Sequence, residues 1–305
     1  MEKLVEIVEK HFELSELSEN KGLIWLDYPQ LPAAVRRRVK MNTIFTSIEK
    51  LIRQAGQILL QGKSTTDTVH QKEGLANFCT DFDLQIQRFL IAGLQNILPE
   101  ASFFGEEDTE GSDTSKVSER YTFFVDPIDG TTNFIFDYHH SCISVGLSYR
   151  REIIAGFIYN PYVDEMFIGI RGEGSYLNGR KLQIADTPLS KGIVAFGCAR
   201  YNEGDTDLLF DAVKEIYLRS LSVRNGGSAA LDLCRIASGS NAAYLELKLQ
   251  PYDYAAASVI IEEAGGVIGQ TDGKAITLDR PCSILAGTET AVKEIRELLK
   301  QLQNS

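Results

Sequence analysis

The stretch Val125-Asp126-Pro127-Ile128-Asp129-Gly130-Thr131-Thr132-Asn133-Phe134 decides how this chain reads. It follows Tyr121-Thr122-Phe123-Phe124-Val125, an apolar run whose β-branched and aromatic content predicts a buried strand ending at Asp126. Pro127 fixes one φ and removes one N–H, so a sharp turn there lets the Asp126 and Asp129 side chains converge instead of alternating across a sheet. Gly130 lets the main chain approach a ligand closely. Thr131-Thr132-Asn133 favour a helix start whose N–H groups can hold an anion. Paired acids beside an anion cradle suggest a metal-assisted phosphate site. The plain alternative is an Asp-Gly turn between a strand and a helix.

A chain of 305 residues with 44% hydrophobic content suffices for one large domain or two packed halves. A net charge of −11 argues against nucleic acid as a partner, since phosphate backbones need a basic surface. Cys79, Cys142, Cys198, Cys234 and Cys282 are scattered and never spaced C-x-x-C, which reads as free thiols in a reducing compartment. With no apolar run of about 18 residues and no secretory leader pattern, the expectation is a cytoplasmic protein with no membrane partner.

Residues 1–40 read as an extension, with Leu4, Val5, Val8, Phe12 and Leu17 at helical spacing before a break at Gly22 to Pro32. Ile44, Phe45, Ile48, Leu51, Ile52, Ala55 and Leu59 form the stripe of a long amphipathic helix closed by Gly62. Thr80-x-x-Asp83 is a capping pair in front of Ile86, Phe89, Leu90 and Leu94, and Asp81 taken alone is a first-turn acid. Phe103-Phe104-Gly105 ends in Glu106-Glu107-Asp108, a second strand tipped by carboxylates. From His140 to Ile184 short alternating runs broken by Arg150-Arg151, Asn160-Pro161 and Asn178-Gly179 predict antiparallel hairpins. His139-His140 read as packing or surface. Strands and helices then alternate through Gly192–Phe196, Leu208–Leu218, Leu221–Val223, Ala229–Ala237 and Ala243–Leu247, as in an α/β layer. Asp253 stands at a helix start, where capping alone could explain it, and Glu246 ends a strand.

The segment Val125–Phe134 resembles, position for position, the signature of the inositol monophosphatase family, and the resemblance runs from about residue 41 to the C-terminus. It implies an α/β layered protein, an α-β-α-β-α sandwich of the inositol monophosphatase/fructose bisphosphatase type with an N-terminal helical extension. The expected divisions are 1–40, 41–186 with most metal ligands, and 187–305 with the last ligand and the substrate contacts. The implied activity is a lithium-sensitive phosphatase that uses Mg²⁺, as two or three ions, with Mn²⁺ as an alternative. The implied partners are a small phosphorylated polyol and a second copy of the chain in a homodimer.

By the same resemblance Glu106, Asp126 and the Ile128 carbonyl hold one ion, and Asp126, Asp129 and Asp253 another. Asp81 supplies an outer carboxylate, Thr131 and Glu106 act on the attacking water, and Gly130 and Thr131 hold phosphate oxygens. Asp129, Ala229, Glu246 and Asp253 touch the polyol, with Glu107 and Lys72 beside the metals. Tyr252 stands where the family usually has tryptophan. 3′-Phosphoadenosine 5′-phosphate, fructose 1,6-bisphosphate and histidinol phosphate are competing substrates. A phospho-aspartate mechanism fits worse, because its two acids are two residues apart and here they are three apart across a proline. A non-enzymatic metal-binding protein would be expected to have lost a ligand, and none is missing.

Overall fold

The computed structural model describes residues 33–62, 69–71, 78–107, 117–198 and 206–303. Lys72, Asp108 and the extension before residue 33 lie outside them. By its contacts the chain divides into Met1–Asn42 and Thr43–Ser305. The described part of the smaller unit is the opening of helix α1 (Ala33–Gln61), which starts ahead of the expected boundary at residue 41. Ala33-Ala34-Val35-Arg36-Arg37-Arg38 contains no breaker once Pro32 is passed, and alanine and arginine favour helix.

In the larger unit, α1 buries Ile44, Ile48, Ile52, Ala55 and Leu59, the stripe expected from spacing. It lies beside α2 (Asp81–Ile97), where a Cβ on Gly93 would fall 2.5 Å from the Leu51 side chain. Ahead of α2 is a two-stranded ribbon, β1 (Val69–Gln71) and β2 (Phe78–Thr80). A seven-stranded sheet follows in chain order: β3 (Ser102–Gly105), β4 (Tyr121–Asp129), β5 (Cys142–Tyr149), β6 (Glu152–Asn160), β7 (Glu165–Ile170), β8 (Gly174–Leu177) and β9 (Arg180–Leu182). The pair β3/β4 is parallel and the rest is an antiparallel meander, as the run of turn signals implied. A five-residue helix, α3 (Thr131–Ile135), leaves the end of β4.

The second sheet has β10 (Ile193–Phe196) between β11 (Ser222–Arg224) and β12 (Ala243–Leu249), all parallel, with β14 (Cys282–Gly287) and β13 (Val267–Gly269) added antiparallel. Helices α4 (Thr206–Tyr217) and α7 (Glu289–Gln303) share a core with this sheet through Leu209, Ile216, Leu245, Leu285 and Ile295. Between the two sheets lie α5 (Ala229–Ala237) and α6 (Pro251–Glu263). The result is the five-layer α-β-α-β-α sandwich.

Helix α6 is buried on all sides from Asp253 to Ile261, and apart from Asp253 and Ser258 that stretch is Tyr, Ala, Val and Ile, as a covered helix requires. Its seat on the seven-stranded sheet is a row of glycines facing one another across three strands, Gly146 with Gly156 and Gly156 with Gly169. A Cβ at these positions would lie 3.0 Å from Ala256 N, 2.2 Å from Ala256 O and 2.7 Å from Ile260 Cα respectively. The helix backbone therefore rests directly on the sheet. Gly156→Ala should force helix and strand apart and cost about 1–3 kcal/mol or more by overpacking. At about 2–4 °C per kcal/mol for a domain of roughly this size, thermal denaturation should show a fall of several degrees. A melting temperature within a degree of wild type would contradict this contact.

Candidate metal and phosphate site

Strand β4 does not end at Asp126 as its apolar run suggests; it continues through Asp129. Asp126 pairs with Ser144 and Asp129 with Cys142, so three steps along β4 match two along β5. This bulge breaks the period of two and brings Asp126 and Asp129 to the same side. Ile128 N–H donates to Asp126 Oδ1 at 3.0 Å inside the bulge. Gly130 follows with φ of +89°, and a Cβ there would meet the Gly227 and His140 carbonyls at 3.0 and 3.1 Å.

Asp253 arrives from the first turn of α6, where Pro251 starts the helix and Gln250 N–H donates to Asp253 Oδ2 at 2.9 Å. The capping reading of Asp253 is thus true as well, and the glycine seat of α6 carries that cap to the end of β4. Asp126, Asp129 and Asp253 are all buried and present ligand oxygens within 4.8 Å of one another. Asp83, Glu106 and Glu107 form a second such group, and among the described residues these are the two acid clusters able to hold a cation.

Burial pushes the Asp126 carboxyl well above the usual carboxylate range, and the charges of Glu106, Asp129 and Asp253 push it further. Asp253 is raised well above it for the same first reason, then by Asp129 and Glu106. For Asp129 burial again raises the value, opposed by hydrogen bonds from Ser228 and Ala230. Carboxylates packed so closely repel one another unless cations intervene.

Asp83 is fully buried because its Oδ2 accepts from both Thr80 N (2.7 Å) and Thr80 Oγ1 (2.6 Å) while Thr80 caps the helix in return. Its Oδ1 lies 3.3 Å from Thr131 Oγ1, which also sits 3.1 Å from the Ile128 carbonyl. Asp81, the acid expected here, lies outside both clusters. Its side chain is 59% exposed and meets His70 Nε2 at 2.8 Å. The first residue of α2 points outward, and the third, locked by the capping box, points in. Glu107 is brought to the cluster by Gln87, which exchanges two hydrogen bonds with its main chain at 2.7 and 3.0 Å.

Glu246 is 5% exposed and accepts from Tyr244 OH at 2.5 Å, so it is no solvated strand end. The Ala229 N–H, expected to face a polyol, is directed at Asp129 Oδ1 at 3.3 Å. His139 stays outside, stacked on Tyr162 at 4.7 Å and paired with Asp137. Sequence reasoning missed Ser228, whose hydroxyl donates to Asp129 Oδ2 at 2.5 Å, and Asp232, which accepts from Gly226 N at 3.0 Å. Nothing local marks Ser228, since the pairing spans the two halves of the chain.

A model described as the inositol monophosphatase family matches residues 40–304. Inositol monophosphatase 3 of Solanum lycopersicum is 32% identical over 232 residues, covering 74% of this chain and 85% of that protein. Inositol monophosphatase 1 of Mus musculus is 31% identical over 248 residues, covering 80% and 90%. The solved structure of inositol monophosphatase from Anabaena (Nostoc) aligns with a TM-score of 0.73 at 26% identity, over 86% of this chain and 96% of that one.

Proposed function

The chain belongs to the inositol monophosphatase family and is a metal-dependent phosphoric monoester hydrolase, and we propose that it hydrolyses myo-inositol 1-phosphate or a similar small polyol phosphate with Mg²⁺, as a cytoplasmic homodimer. The observation that carries the metal reading is the buried triad Asp126, Asp129 and Asp253, whose carboxyl groups are all raised by burial, those of Asp126 and Asp253 further by neighbouring carboxylate charge. Its donors are hard oxygens with no imidazole among them, which suits Mg²⁺ or Mn²⁺ better than zinc.

Glu106, Asp126 and the Ile128 carbonyl would hold one ion, and Asp126, Asp129 and Asp253 another. When bound, such ions neutralise the acids and supply Lewis acidity toward phosphoryl and leaving-group oxygens. The chain's own part is positioning and proton handling. With Asp83 accepting from Thr131 Oγ1, the Thr131 oxygen is left to accept from a water, so Asp83, Thr131 and Glu106 orient the nucleophile. The turn at Gly130-Thr131 receives the phosphate. Glu246 and Asp253 face the polyol hydroxyls, and Tyr252 replaces the usual tryptophan in the wall.

Phosphate release from myo-inositol 1-phosphate should require Mg²⁺, be lost on chelation and return on re-addition, and be inhibited by lithium. Full activity after EDTA treatment would revive the phospho-aspartate chemistry. Assayed side by side, the inositol ester should be favoured over 3′-phosphoadenosine 5′-phosphate and fructose 1,6-bisphosphate by roughly tenfold to hundredfold. That is the margin expected if Glu246 loses its hydroxyl partner, at about 1–3 kcal/mol. A tenfold preference for either competitor would remove the inositol assignment and leave the reaction class. Light scattering at micromolar concentration tests the dimer.

A further inference from the structure

Ser228 occupies the N-cap position of α5, yet its side chain makes no cap bond to that helix. Its hydroxyl instead donates to Asp129 Oδ2, and Ala230 N–H donates to the same oxygen at 2.8 Å while Ala229 N–H meets Oδ1 at 3.3 Å. A carboxylate from the end of β4 therefore caps α5 in place of the helix's own side chain.

The turn that aims Ser228 is held from both sides. Gly226 N–H donates to Asp232 Oδ2 in the first turn of α5, and the Gly226 carbonyl accepts from Asn133 Nδ2 at 2.8 Å. Asn133 Nδ2 also lies 2.7 Å from the His140 carbonyl, on the segment leading into β5. Neither glycine of the turn has room for a side chain: a Cβ on Gly226 would fall 2.4 Å from Asp232, and Gly227, at φ of +74°, lies against Asn133. Ser228 is 1% exposed, so no water competes for its hydroxyl.

We propose that Ser228 is a positioning residue for the cation site: supported by Asn133 and Asp232, it fixes the rotamer of Asp129 by holding Oδ2, so that the carboxylate is presented to Asp126 and Asp253 in one orientation. The inference rests on the reading of Asp126, Asp129 and Asp253 as metal ligands. Partners that orient a ligand from behind are worth about 10–100-fold in metal affinity.

The test is calorimetric titration of chelator-stripped, full-length protein with MgCl₂, run well below the melting temperature of each variant, for wild type, Ser228→Ala and Ser228→Thr. Ser228→Ala should weaken Mg²⁺ binding by about 10–100-fold and shrink the Mg²⁺-induced rise in melting temperature. Ser228→Thr, which keeps the hydroxyl, should restore most of both. Wild-type affinity in Ser228→Ala, or equal loss in both variants, would overturn the proposal. If wild type itself binds no Mg²⁺, the metal reading fails instead. Should Ser228→Ala not fold, Asn133→Asp, which replaces the amide bridging two carbonyls by a group that cannot donate, should weaken Mg²⁺ binding in the same way, and unchanged affinity there would also overturn it.

Discussion

Asp126→Asn should do two opposite things: remove activity and stabilise the metal-free protein. Asparagine keeps the shape and can still accept the Ile128 N–H, so the bulge survives. What disappears is a buried charge facing Glu106, Asp129 and Asp253. With one of the carboxylates that would hold the cations gone, the loss in kcat/KM should be on the order of 3–4 kcal/mol or more, a few hundredfold at least. In the stripped protein the same change relieves repulsion, and each kcal/mol relieved raises the melting temperature by about 2–4 °C.

The pH dependence carries the same sign. A carboxyl whose folded value is raised gives the folded state an advantage at low pH, present in full below the unfolded value and lost as pH climbs through the raised one. Stripped wild type should therefore lose stability from about pH 4 upward, and Asp126→Asn should lose less. Saturating Mg²⁺ should reverse the order of the two proteins. A stripped variant that melts below wild type near neutral pH, with its fold intact, would refute the repulsion argument.

The second large effect separates two neighbours. Asp83→Asn should lower kcat by about 10²–10⁴-fold, the range of general acid–base contributions, whereas Asp81→Asn should stay within about twofold. Asp83 is buried with Thr131 Oγ1 against it, and Asp81 is held at the surface by His70. Some stability also goes with Asp83, about 1 kcal/mol for the damaged capping box, so folding must be checked alongside the rate. Comparable losses at the two positions would restore Asp81 to the mechanism.

That pair marks where the sequence stopped being legible. The Thr80-x-x-Asp83 cap, the hairpins of the first sheet and the alternation of the second could all be read locally, because each depends on spacing within one segment. Which oxygen of a helix's first turn faces a site depends on how the helix docks, and the cap that buries Asp83 decided against Asp81. The convergence of Asp126 and Asp129 is legible in the sequence, but a bulge against β5 produces it and not the turn that Pro127 suggests. Asp129 to Ser228, and the glycine row Gly146, Gly156 and Gly169 to Ala256 and Ile260, are pairings between distant segments, which no window of sequence displays.

The glycine row under α6 also bears on the order in which the molecule is made. Asp253 cannot meet Asp126 until the hairpins of the first sheet have formed and a helix from far along the chain has closed onto them, a contact whose loop entropy must be met before it is rewarded. The row itself offers no side chain to that contact, and at Gly156 backbone meets backbone. In the absence of cations that closing step also drives like charges together. Cations that bound the closed form and not the open one would act there by mass action, and the metal would then be an assembly factor for this fold as well as a reagent for its chemistry.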